Sequence, residues 1–353
     1  MSRSEGSTAI KKSAPATAPV RLTALPAACG DCLVMEYGSG SDVHRILIDG
    51  GLGSKYDVGL GAHLAASAGE PQFDIVIVTH VDRDHIDGVI AALRAQHLQS
   101  ADIWFNGRDE IDALVNGDTR GVRQGDELSA LLPAERRNRV VDGQAIHVPP
   151  TGPVHFELPG GASCTLLSPS RKRLEKLFDR WPDQVRVVDD PTEDLLNKLE
   201  DPLTRGVGEF GEDSSVANGS SIAILFEVGG ASLLLTGDAY AADLEVTIGQ
   251  LLAERNEPKL HVDLFKLSHH GSRANMTDGL LALIDPGAVL VCTDGSKFHH
   301  PDEDALQMVR AHYPDVPIHF TDDTEHIRLR ATAVGARPPE VLPLQLHLGK
   351  GAA

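Results

Sequence analysis

From Thr79 to Gly88 the chain places His80, Asp82, Asp84 and His85 within six consecutive positions, directly after the strand-like run Asp74 to Val78. Two carboxylates and two imidazoles on one short loop repel and compete for solvent unless a cation gathers them, and a divalent metal is the usual cation. The plainer reading is a polar loop in which Asp84 or Asp87 caps the following helix. A cap needs one carboxylate, not this constellation.

The remaining pattern alternates strands with helices. Strands are expected near Arg21 to Leu25, Cys32 to Tyr37, His44 to Asp49, Asp102 to Phe105, Val154 to Leu158 and Ser163 to Leu167. A hairpin across Gly229-Gly230 should join Ser220 to Val228 with Ala231 to Leu235. Helices are expected near Val58 to Ala68, Ile86 to Ala95, Ala241 to Arg255 and Glu303 to His312, with further strands at Val262 to Leu267 and Ala288 to Val291. The end of the chain, including Ile318, Ile327 to Leu329 and Leu344 to Leu348, reads as strand. This order implies an α/β fold. Residues 1–20, rich in Ser, Ala, Lys and Pro, read as a flexible tail ahead of one domain over 21–350. Residues 169–219, opened by Arg171-Lys172-Arg173 and then acidic and Pro/Gly-rich, read as a helical and loop insertion. It is a candidate lid or protein-partner element, or a solvated elaboration.

Three more strand ends carry ligand-type residues: Thr236-Gly237-Asp238, Ser268-His269-His270-Gly271-Ser272 and Phe298-His299-His300-Pro301. Each alone could be a cap, a core histidine or a turn. Together they describe a site assembled from several loops at strand ends, where α/β folds place function. Cys29-Gly30-Asp31-Cys32 is a C-x-x-C without a second copy, so a tight turn with small buried thiols is preferred to a redox or zinc pair. The net charge of -19 argues against a broadly basic surface gripping a polyanion. No run approaches the roughly twenty apolar residues of a membrane span and no signal-peptide core stands at the N-terminus, so a cytoplasmic protein without membrane partners is expected.

In order and content these segments resemble the metallo-β-lactamase fold superfamily, four-layer αββα hydrolases with an H-x-H-x-D-H signature. His80, Asp84 and His85 match that signature, Asp238 the later aspartate, the His269-His270 pair the last histidine, and Asp49 an acidic residue that supports the ligand loop. Within the superfamily, Gly30-Asp31-Cys32, the loop with Asp82 as second ligand, Asn218 with Ser220 and Ser221, Thr236-Gly237-Asp238, His269-His270-Gly271-Ser272 and His300-Pro301 most resemble the soluble domain of bacterial DNA-uptake competence proteins. Those domains are regarded as nucleases.

The resemblance implies two divalent ions, Zn or Mn: one on Asp84, His85 and His269, the other on His80 and Asp82, with Asp238 bridging. Asp82 replaces a histidine by a harder oxygen donor. His147 and His155 lie in the interval of the third histidine without its expected setting, so the first metal site is expected to be weak or empty. Asp84, Asp238, His270 and His300 are the expected catalytic residues. Ser272, Arg273, Lys266 and Lys297 would suit phosphate oxygens, and surface charge is the plainer reading of both lysines. The expected activity is hydrolysis of a phosphodiester, DNA or a nucleotide, by a metal-activated water. A lactone or thioester hydrolase and a non-catalytic, metal-stabilised binding module are the alternatives.

Overall fold

The computed structural model describes residues 20–67, 73–117, 127–181 and 213–349. Its first sheet is built from β1 (Val20–Ala24), β2 (Leu33–Ser39), β3 (Asp42–Ile48), β4 (Ile75–Ile77), β5 (Asp102–Trp104) and β15 (Leu344–Leu348), in the order β15-β1-β2-β3-β4-β5. The antiparallel β1-β2-β3 meander gives way to parallel pairing of β3, β4 and β5. A second sheet contains β6 (Val154–Leu158), β7 (Ala162–Ser168), β8 (Ala223–Val228), β9 (Ala231–Leu235), β11 (Leu264–Lys266), β13 (Val289–Val291) and β14 (Ile318–Phe320). Its order is β14-β13-β11-β9-β8-β7-β6, and β9, β11, β13 and β14 run parallel.

The period-two alternation of strands sorts their side chains between layers. Leu233 and Leu235 of β9 join Met35, Ile46, Ile48 and Ile77 between the sheets, whereas Leu234 faces the helices outside. Helices α1 (Leu60–Ala66), α2 (Arg83–Arg94), α3 (Arg108–Asn116) and α4 (Glu127–Leu131) lie outside the first sheet, with Ile86, Val89, Leu93, Ile111 and Leu128 buried against Val34, Leu47 and Val76. Outside the second sheet lie α6 (Ala241–Arg255), α7 (Asp278–Leu283), α8 (Glu303–His312) and α9 (Glu325–Ala333). Each large aliphatic side chain buried this way contributes roughly 1.5–3 kcal/mol. The layers are therefore α, β, β, α, as the resemblance implied.

Three elements depart from the sequence reading. The strand expected at Ile327 to Leu329 is helix: the Thr324 side chain accepts the Ile327 amide at 3.3 Å, and Ile327 and Ala331, one turn apart, form the buried face. A separate β10 (Leu260–Val262) precedes β11 and pairs in parallel with β12 (Ile284–Pro286). The opening of the expected insertion is part of the core, because α5 (Arg171–Arg180) buries Leu174 and Leu177 with α3 and the first sheet's outer layer. The middle of that insertion, 182–212, and residues 1–19 of the expected tail lie outside the described residues. Its far end, Asp213 to Gly219, enters the site. No helix among the described residues is long and apolar enough to cross a membrane.

Candidate metal centre

The loop after β4 is held from below by Asp49, fully buried at the end of β3 with φ 57°. Its carboxylate accepts the Thr79 amide at 2.7 Å, the Thr79 hydroxyl at 2.8 Å and His85 Nδ1 at 2.7 Å. With its proton committed to Asp49, the Thr79 hydroxyl can only accept from His80 Nδ1, 3.0 Å away. Both rings are thus fixed in the tautomer that leaves Nε2 with a lone pair facing inward. Helix α2 starts immediately after this loop. Asp82 occupies the N-cap position yet makes no side-chain capping bond, so the plain capping role is not what places a carboxylate there. Close backbone contact seats the helix: a Cβ on Gly30 would stand 1.7 Å from the Asp84 carbonyl oxygen, and one on Gly88 1.9 Å from that of Gly50.

The second sheet supplies the opposite wall from the C-terminal ends of three neighbouring parallel strands. Asp238 follows β9, its amide donating to Ser221 Oγ at 3.2 Å. His269 and His270 follow β11 with φ of 47° and 55°, a left-handed pair of non-glycine residues that costs on the order of 1–3 kcal/mol each. The turn sends the two rings in different directions. His270 Nδ1 donates to the Cys292 carbonyl at 2.7 Å, leaving Nε2 3.6 Å from both Asp84 Oδ2 and Asp238 Oδ2. His269 Nδ1 turns to Asn275 Oδ1 at 3.0 Å and Asp213 Oδ2 at 3.3 Å, with Nε2 3.9 Å from Asp238 Oδ2.

Asp238 Oδ2 also lies 3.8 Å from His80 Nε2 and 3.6 Å from His85 Nε2, and Asp82 Oδ2 lies 3.5 Å from His80 Nε2. The sets Asp84, His85, His270 and His80, His85, Asp238 each bring ligand atoms within 4.8 Å of one another. The structure therefore places His270, not His269, beside Asp84 and His85. The reason is the left-handed turn, which the pattern of two adjacent histidines does not reveal. His80 Nε2, Asp82 Oδ1, His85 Nε2, Asp238 Oδ1 and His270 Nε2 are buried without a hydrogen-bond partner. Buried polar atoms are rarely left so. Lone pairs converging on one another need protons or a cation between them, and the donor set, imidazole nitrogens with carboxylate oxygens, fits divalent metals.

The electrostatics agree. Burial disfavours charge on His85, His269 and His270, but Asp238 leads the opposing carboxylates and raises all three, His269 to about 10. Burial likewise opposes ionisation of Asp84 and Asp238, yet His270 above all holds both below the usual carboxylate range. A potential negative enough to hold protons on imidazoles also favours a metal ion.

Asp82, Asp84, Ser215, Asn218, Asp238, His269, Phe298 and His300 line a cleft of about 230 Å³ over these atoms. His300 reaches it from the loop after β13, 5.1 Å between ring centroids from His269, and burial pushes its pKa down. The expected phosphate contacts are not in the lining. Lys266 is buried: period two on β11 puts it on the same inter-sheet face as Leu264, where Nζ lies 2.5 Å from Asp31 Oδ2 and donates to the Gly237 carbonyl at 2.9 Å. It is neither surface charge nor a substrate contact. The Arg273 guanidinium donates to the Met276 carbonyl at 2.7 Å, Ser272 is buried, and Lys297 Nζ stands 4.7 Å over the Phe298 ring. His155 bonds Thr165 on the outer strands and His147 the Ala145 carbonyl, so neither serves as the third histidine.

No local sequence pattern assigns a role to Asp31, Asp213 or Asn275. Burial opposes charge on Asp31, but the Lys266 ammonium brings its pKa down to about 2. Asp213 Oδ2 accepts Nδ2 of Asn218 at 2.9 Å and of Asn275 at 3.0 Å. An aspartate inside an acidic stretch gives no signal of such a role. Cys29 and Cys32 are free and buried, and burial pushes both thiols up, against a redox pair.

No family model matches the chain. ComE operon protein 3 of Bacillus subtilis (strain 168) is 26% identical over 119 residues, 33% of this chain, and the match spans only 14% of that protein. Among solved structures, a protein from Parabacteroides distasonis described as a metal-dependent hydrolase aligns over 84% of this chain and 97% of its own, at 11% identity and TM-score 0.35. CmlA, a diiron β-hydroxylase from Streptomyces venezuelae, aligns over 93% of this chain and 54% of its own, at 13% identity and TM-score 0.43. The two facing sheets, the outer helices and the ligand loops carried in order on β3, β4, β9, β11 and β13 give this chain the metallo-β-lactamase fold, with motifs resembling those of the competence proteins.

Proposed function

We propose that the chain is a metal-dependent phosphodiesterase acting on DNA or a nucleotide. The observation that carries the metal-dependent reading is the convergence of His80, His85 and His270 on Asp238 Oδ2 at 3.6–3.8 Å through Nε2 atoms that are buried without a hydrogen-bond partner. His80 and Asp82 would hold one ion, Asp84, His85 and His270 the other, and Asp238 lies within reach of both sets. Divalent ions bound there would lower the pKa of a water and offset charge on phosphate oxygens. The carboxylate-rich set favours manganese over zinc.

The cleft's own residues support a phosphodiester. His269 donates through Nδ1 to Asn275 and Asp213, and because Asp238 and Asp213 raise its pKa to about 10 against the effect of burial, the imidazolium also carries a proton on Nε2 at the cleft, suited to a phosphate oxygen or to the departing oxygen. Burial lowers the pKa of His300 against the pull of Asp302, which favours a neutral ring able to accept a proton or a hydrogen bond. Phe298, 42% exposed at the rim, offers a ring for a base to stack on. The net charge of -19 favours a second reading, lactone or thioester hydrolysis at the same centre. Purified chain should contain bound metal and cleave single-stranded DNA or a nucleotide diester when manganese is added, and Asp84→Ala should abolish cleavage. Turnover of lactones or thioesters alone supports the second reading. Metal binding without turnover of any of these refutes both.

A further inference from the structure

We infer that Asn218 is a metal ligand, its side-chain oxygen completing the His80 and Asp82 side of the centre where no third histidine is found. Asn218 is 3% exposed, on the turn before β8, and lines the cleft with Asp82, Asp84 and Asp238. Its Nδ2 donates to Asp213 Oδ2 at 2.9 Å and lies 3.2 Å from His269 Nδ1. Because a carboxylate only accepts, this contact fixes which end of the amide is nitrogen. The other end, Oδ1, is buried without a hydrogen-bond partner, as are the lone-pair atoms of His80, Asp82, His85, Asp238 and His270. An amide oxygen stranded in this way is costly unless a cation meets it.

The segment is also held in register with the ligand loop. The Ser221 amide donates to the Asn218 carbonyl at 3.0 Å, and the next amide, that of Ile222, donates to the Thr79 carbonyl at 2.9 Å. Asp213 thereby acts as a positioning residue for the amide. A neutral oxygen donor suits this place. Asp31, Asp49, Asp82, Asp84 and Asp238 are already buried around the centre, and another carboxylate would add repulsion that the amide avoids. Asn218 thus gives the first site an oxygen ligand of the kind manganese accepts.

The inference rests on the two-metal reading, and manganese titration of the full chain, followed by calorimetry, separates the two. Asn218→Ala should weaken one manganese site by the roughly 10–100-fold that losing a metal-orienting group costs, leaving the other unchanged. Asn218→Asp should bind manganese more tightly than wild type while its metal-free form unfolds at lower urea, since the new carboxylate faces Asp213 until an ion arrives. Should the alanine variant fail to fold, Asn218→Asp alone decides, because unchanged affinity there overturns the inference. Unchanged binding by Asn218→Ala overturns the inference alone. A wild-type chain that binds no manganese overturns both it and the reading beneath it.

Discussion

Replacing Lys266 by methionine removes the cation buried under the centre while keeping most of the side-chain volume. Lys266 and Asp31 are each 1% exposed, with Nζ 2.5 Å from Asp31 Oδ2 and 3.8 Å from Asp238 Oδ1. At an effective dielectric near 20, unit charges about 4 Å apart attract by roughly 4 kcal/mol, so the Asp238 contact alone is substantial. Breaking a buried pair on one side typically costs about 3–5 kcal/mol, because the remaining charge is stranded. Lys266→Met should lose that much in urea unfolding with chelator present. Adding Asp31→Asn should restore part of it, since the stranded carboxylate is then neutral.

The pH dependence gives a separate check on sign. Asp31 is brought from 3.8 to about 2, so the pair's stabilisation, roughly 2 kcal/mol at 1.36 kcal/mol per unit, is present above pH 3.8 and lost as pH falls through 2. Without Lys266, burial is opposed only by His270 and His85, so the Asp31 pKa should rise and acidification from neutral pH should neutralise the stranded charge. The gap between wild type and Lys266→Met should therefore narrow as pH falls from 7 toward 4. A gap under 1 kcal/mol at pH 7, or a double variant as unstable as the sum of the singles, would refute this account.

Asp49→Asn should reduce manganese affinity by about 10–100-fold in calorimetric titration, because the orientation of both His80 and His85 depends on that carboxylate through Thr79 and Nδ1. Gly30→Ala, whose new Cβ would meet the Asp84 carbonyl oxygen at 1.7 Å, should lower the thermal midpoint and weaken metal binding together. Loss of stability with unchanged metal affinity would show that α2 does not set the ligand positions. The raised pKa values of His85 and His270 mean that metal entry must displace protons. Affinity should accordingly rise with pH, and the heat of binding at pH 7 should depend on the buffer's ionisation enthalpy; a buffer-independent heat would contradict it.

The parts legible in the sequence were those governed by local periodicity. Val154–Leu158, Ala231–Leu235, Ala241–Arg255, Glu303–His312 and Leu344–Leu348 form as their patterns indicate, and the ligand-rich loops stand at the strand ends where they were expected. Ile327 to Leu329 misled because a short apolar run does not distinguish strand from helix, and the Thr324 cap decided the matter. The roles of His269 and His270 depended on two left-handed residues, which adjacent histidines do not announce. Residue type alone misleads at Lys266, since lysines are usually exposed, whereas its alternation with Phe265 places it between the sheets. Asp213 and Asn275 act through tertiary contacts, 62 residues apart in sequence, that no local pattern encodes.

A common logic links these missed residues. Several carboxylates around the centre are tied to dedicated partners: Thr79 and His85 Nδ1 for Asp49, Lys266 for Asp31, Asn218 and Asn275 for Asp213. These ties occupy His85 Nδ1 and Asn218 Nδ2 and leave His85 Nε2 and Asn218 Oδ1 bare, so those side chains are oriented before any ligand is present. Lys266 is the one lysine or arginine among the fully buried side chains of the described residues, and it lies against Asp31, leaving Asp82, Asp84 and Asp238 incompletely balanced. Stability alone would favour apolar residues at such positions, because buried ionic groups seldom exceed their desolvation cost. The arrangement is understandable as preorganisation: the fold holds repelling lone pairs at one point, and a cation that binds there recovers the electrostatic free energy that folding left unfavourable.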